Sequence, residues 1–351
     1  MNPSNSSWQD LLRRLLDHSN DVLQQGDRAV ASDDMIQAAE ILFLQAKKEN
    51  DPEEKKRLVK RGTEFLETSV RLLDETPAKA RSTQVITNAL EELNALTGLE
   101  LVKAEVASFI AFLKIQKERK RQGLPTSSKT LHYVFTGNPG TGKTTVARIL
   151  AKILYDYGIL QSDKLTETDR SGLVAGYVGQ TAIKTDKVIQ NALDGVLFID
   201  EAYSLQTGSE QDFGREAVNT LLKRMEDDRD RLVVIVAGYP APMDKFLRSN
   251  PGLMSRFTRF LHFEDYSVAD LVEIFLKYCK TGEYRLTQPA LEKLRLVFDE
   301  AVTQKDDHFG NGRYVRNLFE ETTKRQSVRL NQLETITREQ LLTIETEDIP
   351  A

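Results

Sequence analysis

Apolar residues recur along this chain at two different periods, and the change of period divides it. Up to about residue 90 every pattern is helical. Trp8, Leu11, Leu12, Leu15, Leu16, Val22 and Leu23 mark one face, with Ser6 or Ser7 in place as a cap and Gly26-Asp27 as a break. A second helix is expected from about Asp33 through Ile36, Ala39, Leu42 and Phe43. Asn50-Asp51-Pro52 reads as a turn into a third helix that carries Leu58, Phe65, Leu66 and Leu73 and closes at Pro77. These helices hold no cluster of His, Cys or paired carboxylates, and the Lys47–Arg57 charge run reads as a solvated face. They suit a small bundle that either binds a partner or supports the next unit of the chain.

From about Thr83 a helical pattern runs through Leu90, Leu93 and Leu96, is interrupted at Thr97-Gly98-Leu99, and resumes from Val102 to Arg121. Its basic end suits a helix C-terminus. Gly123 to Ser128 reads as a loop. Then the period changes. Short, nearly continuous apolar runs at His132–Phe135, Lys164–Thr168, Gly195–Asp200, Leu232–Ala237 and Arg259–Phe263 alternate with helical stretches. That alternation predicts an α/β fold whose parallel sheet is covered on both faces. Past Ser267 the pattern is helical again, over Val268–Cys279, Gln288–Val302 and Tyr314 to about Leu330. Thr335–Ala351 shows little periodicity beyond Ile344 and Ile349. The expected division is a helical region over 1–88, an α/β unit over 89–265, and a helical unit with its tail over 266–351.

Chemistry concentrates where the first strand ends. Gly137-Asn138-Pro139-Gly140-Thr141-Gly142-Lys143-Thr144, followed by Thr145, fits G-x-x-x-x-G-K-[ST] between a strand and a helix marked by Val146, Ile149, Leu150, Ile153 and Leu154. The glycines let the backbone turn and aim N–H groups at phosphate oxygens. The new helix offers its positive end to the same anion. Lys143 supplies a charge to the β/γ-phosphates and Thr144 a hydroxyl to Mg²⁺. A later apolar strand ends in Asp200-Glu201. A parallel strand delivers such residues to the same sheet edge, where Asp200 would hold Mg²⁺ and Glu201 would polarise water. ATP and Mg²⁺ are the expected ligands.

Composition trims the alternatives. At 40% hydrophobic and 29% charged, the 351 residues read as globular rather than disordered. The net charge of -5 argues against nucleic acid as the partner. The single Cys279 forms no internal disulfide and sits in an apolar helical run, as a buried thiol would. With no membrane-length apolar stretch and no signal-peptide pattern, a reducing cytoplasm is the expected location.

With these motifs in place, the sequence resembles the CbxX/CfqX type of AAA+ ATPase. The phosphate loop and Phe198-Ile199-Asp200-Glu201-Ala202-Tyr203 carry the resemblance. So do Leu96-Thr97-Gly98-Leu99, Gly176-Tyr177-Val178-Gly179-Gln180-Thr181, Ala237-Gly238-Tyr239, Asn250-Pro251-Gly252-Leu253 and Gly312-Arg313. It spans about residues 90–345 and excludes the N-terminal helices. The family includes red-type Rubisco activases and relatives associated with sporulation and type VII secretion. The resemblance implies a P-loop α/β subdomain with a C-terminal helical lid, and ATP bound between them and between neighbours in a hexameric ring. Gly98 and Leu99 would lie near adenine. Arg256 matches the arginine finger that reaches a neighbour's ATP, with Arg259 three residues away as the alternative. Arg313 matches the sensor-2 arginine. An always-charged, bidentate side chain suits both tasks. Tyr177 and Val178 match a pore loop that grips a threaded chain. The sequence departs from the wider superfamily at one motif, because Ala237-Gly238-Tyr239 stands where a polar sensor-1 residue, often Asn, is usual. The resulting expectation is a ring-forming, ATP-driven protein remodeller. A nucleic-acid-handling relative and a nucleotide-switched scaffold with low turnover are the alternatives.

Overall fold

The computed structural model describes residues 8–24, 28–49, 51–74, 89–125, 131–177, 179–206, 213–306 and 309–350. The expected cap at Ser6 or Ser7, the Gly26-Asp27 break, Asn50, Pro77, the stretch from Thr83 to residue 88, the end of the 123–128 loop and Val178 lie outside them.

Three helices come first: α1 (Trp8–Gln24), α2 (Arg28–Ala46) and α3 (Pro52–Asp74). Helix α2 begins before the expected Asp33 because small residues also face its core. Ala31 and Ser32 are buried, and the Ser32 hydroxyl donates to the Ser69 carbonyl at 3.0 Å. A helix over residues 89–94 (α4) and a turn lead to α5 (Glu100–Arg121). Helix α5 belongs to two cores. Ala104, Ala107 and Ala111 pack with Leu42, Phe43, Leu58 and Leu66 of the bundle. Val106, Phe109, Ile110 and Leu113 pack against the sheet. The Lys47–Arg57 run is not wholly solvated, since Lys55 bonds Glu264 at 3.2 Å, just past the last strand of the sheet.

The sheet comprises β1 (His132–Gly137), β2 (Leu165–Thr168), β3 (Val196–Ile199), β4 (Val233–Gly238) and β5 (Phe257–Phe263). Its order is β2-β3-β4-β1-β5 and every pairing is parallel. Alternate side chains face opposite cores, which explains why the strands read as unbroken apolar runs. Tyr133, Phe135, Phe198 and Ile235 point to the face covered by α5 and α6 (Lys143–Asp156). Val134, Leu197, Ile199 and Val236 point to the face that buries α8 (Gln180–Ala192), α9 (Gly214–Asp227) and α10 (Pro240–Arg248). Two short helices, α7 (Arg170–Leu173) and α11 (Pro251–Arg256), sit in the connections.

The lid is built from α12 (Val268–Thr281), α13 (Gln288–Thr303) and α14 (Gly312–Leu330) around Phe275, Leu294, Phe298 and Val315. Cys279 is buried there, and burial pushes its thiol up to about 12. The tail has more structure than its sequence pattern suggests. After α15 (Arg338–Leu342), β7 (Thr343–Ile344) pairs in parallel with β6 (Arg285–Leu286). Ile344 and Ile349 are fully buried, and Asp348 makes a two-pronged contact with Arg329 at 2.8 and 2.7 Å. No helix among the described residues is long and apolar enough to cross a membrane.

Candidate active site

Strand β1 runs straight into the glycine-rich loop, and Gly137, Gly140 and Gly142 all take positive φ. At Gly140 (φ 72°) the fold forbids a side chain twice over. The backbone conformation is left-handed, and a Cβ would collide with the Gly310 carbonyl oxygen and lie 2.7 Å from the Arg313 nitrogen. Lys143 opens α6, and its ammonium turns back to donate to the carbonyls of Gly137 (2.8 Å) and Asn138 (2.7 Å). Burial pushes this amine down to about 8; Asp200 opposes the shift and Arg313 adds to it.

Parallel pairing sets the second wall. Thr168 of β2 pairs with Ile199 of β3, so the residues after both strands emerge at one sheet edge, beside the loop that leaves β1. Asp200 accepts a hydrogen bond from the Glu201 backbone N–H at 3.0 Å. Glu201 takes a left-handed conformation (φ 47°) and starts a single 3₁₀ turn over Ala202–Leu205. Backbone strain of this kind gathers at functional sites. Burial, with Glu201 beside it, pushes the Tyr203 hydroxyl up to about 12. Its ring lies 6.3 Å from that of Tyr239, the last residue of the run that stands in place of a usual sensor-1 motif.

A cavity of about 520 Å³ joins these walls. Gly137, Pro139, Gly140, Gly142, Lys143, Thr144 and Thr145 line it from the loop, and Asp200, Glu201 and Tyr239 from the strand ends. Thr97 and Leu99 close one end, and Arg313 and Arg316 approach from the lid. Asn138 and Thr141 brace the loop from behind. Asn138 donates to Asp265 at 2.9 Å, and the Thr141 hydroxyl donates to the Asn138 carbonyl at 2.8 Å. Gly98 (φ 60°) backs onto a separate cavity of about 690 Å³ between α3, the start of α5 and α12.

Several contributors are not legible in the sequence. Asn311, fully buried, accepts from the Tyr266 backbone N–H at 2.9 Å and donates to Asp265 at 2.8 Å. The Gly312 N–H donates to the Gly140 carbonyl at 3.1 Å. Lys277 of α12 donates to the Ala95 carbonyl and the Thr97 hydroxyl, both at 2.7 Å. The lid is thus bonded to both ends of the cavity. The signals in the chain are local: a polar Asp265 after the end of β5, and the run Gly310-Asn311-Gly312-Arg313 at the start of α14.

The two arginines near the end of the sheet, Arg256 and Arg259, sit in different surroundings. Arg259, half-buried, lies over the Phe109 ring at 4.4 Å. Arg256, about a quarter exposed, contacts Glu226 at 3.3 Å and does not line the cavity of its own chain. Tyr177 is 74% exposed in the connection between α7 and α8.

Comparison with known proteins agrees with this architecture. Residues 133–265 match the model of the ATPase family associated with various cellular activities (AAA), and residues 267–351 match the AAA lid domain. Stage V sporulation protein K of Bacillus subtilis is 43% identical over 74% of this chain and 81% of its own length. This chain is an AAA+ ATPase of the CbxX/CfqX type. The ATPase is also 42% identical to the chloroplastic ribulose bisphosphate carboxylase/oxygenase activase of Cyanidioschyzon merolae, over 75% of this chain and 91% of that one. It is 40% identical to the ESX-3 secretion system protein EccA3 of Mycobacterium leprae over 78% of this chain, but spans only 45% of that relative. ATP hydrolysis is the activity that these matches support for the chain.

Proposed function

We propose that the ATPase works as a ring, through contacts between copies of the chain, and uses ATP to pull on a protein. The observation that carries this reading is the shared sheet edge. Parallel pairing of β2 with β3 brings the root of the exposed Tyr177 connection beside Asp200 and Glu201. An exposed aromatic ring offers apolar area to a passing chain without reading its sequence.

Within the cavity, Lys143 would neutralise the β/γ-phosphates, and the glycine-loop N–H groups would orient them. Thr144 and Asp200 present hard oxygen donors on opposite walls of one cavity, as Mg²⁺ requires, so the residues fit that ion. When bound, the ion supplies charge neutralisation between phosphate oxygens. Glu201 is the general base for water, and Arg313 reaches the phosphates from the lid. Leu99 and Thr97 close the adenine end. Arg256, which does not line its own cavity, serves a neighbour's site in a hexamer. We assign residues 1–88 to partner recruitment, 89–265 to nucleotide chemistry and 266–351 to the lid.

The test is steady-state ATPase with and without a permanently unfolded protein. Stimulation is expected, and Tyr177→Ala should abolish it at nearly unchanged basal rate. Lys143→Ala should abolish ATP binding. Glu201→Gln should bind ATP but lose about 10²–10⁴-fold in turnover. An ATPase indifferent to unfolded protein and stimulated by DNA would favour the nucleic-acid alternative.

A further inference from the structure

We propose that Arg170 is a positioning residue that couples the carboxylate turn to the Tyr177 connection. The inference rests on the reading of Tyr177 given above, and deepens it.

Arg170 is the first residue of α7, two positions beyond the end of β2. Its guanidinium Nη1 donates to the Ser204 carbonyl at 2.6 Å. Ser204 belongs to the 3₁₀ turn that Glu201 opens, and its N–H donates to the Glu201 carbonyl at 2.8 Å. One side chain therefore spans from the start of the Tyr177 connection to the turn that sets the Glu201 backbone. Charge-assisted bonds of this kind are short and strong. A further cavity, of about 620 Å³, lies between these two segments and is bordered by Arg170, Gly176, Glu201 and Ser204. It leaves room for them to shift relative to one another.

The connection itself is pinned at its root and loosely packed at Gly176. From α8, the Thr185 hydroxyl donates to the Leu173 carbonyl at 3.1 Å, and Thr181 accepts from the Ala175 N–H at 3.1 Å. Lys184 donates to the carbonyls of Ser171 (2.6 Å) and Val174 (3.0 Å). Beyond Ala175 the packing opens: a side chain at Gly176 would meet nothing within 4 Å. A displacement applied at Arg170 is therefore carried as a unit through residue 175 and emerges at Tyr177.

The turn at the other end has the marks of an element with two arrangements. Glu201 is left-handed, and the Ser204 hydroxyl is buried without a hydrogen-bond partner among the described residues. Burying an unpaired hydroxyl is costly, and a second arrangement of the turn relieves it. Occupancy of the nucleotide cavity acts on Asp200 and Glu201. Through Ser204 and Arg170, it selects the position of the Tyr177 connection.

The test uses the full chain with Trp8→Phe and Tyr177→Trp, which moves the single tryptophan to the connection. Its emission is compared with ADP and with a slowly hydrolysed ATP analogue bound. The two states should differ with Arg170 in place. Arg170→Ala should weaken the nucleotide dependence about tenfold, the coupling expected for one charged hydrogen bond, with both nucleotide affinities kept within about twofold. Arg170→Lys, which retains the charge and one donor, should restore part of the difference and also serves if the alanine variant folds poorly. A full emission difference in Arg170→Ala, or none when Arg170 is present, overturns the proposal. The emission reports the connection rather than a substrate. Failure of unfolded protein to stimulate the ATPase would therefore refute threading while leaving this coupling intact.

Discussion

The helical bundle and the nucleotide unit share α5 but are built on opposite plans. The bundle buries Leu42, Phe43, Leu58 and Leu66 against a flat alanine stripe on α5. The nucleotide unit sets Phe109, Ile110 and Leu113 of the same helix against a sheet whose strand ends all open on one edge. Helices packed side by side bring apolar faces together but give no common edge at which polar residues meet. Parallel strands do, and the chemistry gathers at their ends. The difference is why the glycine loop and the carboxylates Asp200 and Glu201 meet in one cavity at the sheet edge.

The comparison breaks most visibly at Arg256. If it serves a neighbour, Arg256→Ala should lower turnover about 10³–10⁵-fold with ATP affinity nearly intact. Mixing it with Glu201→Gln subunits should restore part of the activity, because some interfaces then combine an intact base with an intact arginine. Persistent inactivity in proven mixed assemblies would place Arg256 outside the reaction.

A smaller effect sits at Lys143. Its amine is held near 8 in the free chain, well below its ordinary value, mainly by burial. A bound phosphate favours the charged form, so ATP binding should take up a proton as pH rises past 8. Affinity should then fall by up to about tenfold per pH unit. The ligand-free fold moves the other way: the unfolded chain binds more protons in this range, so stability rises from pH 8 towards the ordinary lysine value. Calorimetry in buffers of different ionisation enthalpy reads the uptake directly, and a flat affinity from about pH 7 to 9.5 would reject it.

The smallest effect should come from the bundle. A chain beginning near residue 85 should remain folded, because what it uncovers on α5 is Ala104, Ala107 and Ala111 rather than large side chains. Loss of the partly exposed Lys55–Glu264 pair should shift ATP affinity by no more than about 0.2–1 kcal/mol. A tenfold or larger shift in affinity would mean that the bundle acts on the lid through that contact.

Much of the nucleotide unit can be read directly from the chain. Apolar strands that end at Gly137 or just before Asp200 are local signals, and local signals survive without coordinates. The parts that stay hidden are held by pairing across the fold. Tyr266 and Asn311 reach the glycine loop only after the lid folds back. Strands β6 and β7 hold two residues each, too few for any period to register, and Asp348 is buried because Arg329 meets it. In the bundle, Ala31 and Ser32 lie in the core without marking it, because small residues contribute little to an apolar pattern.

Gly140 carries an evolutionary consequence. Its freedom from a side chain is demanded by the Gly310 carbonyl and the Arg313 nitrogen as well as by any phosphate. A descendant that no longer used ATP would be released from Lys143 and Glu201, yet the lid would still exclude every side chain at 140. In such pseudoenzymes that glycine should outlast the lysine three residues on. Its presence would then record the ancestry of the fold and say nothing about whether the chemistry survives.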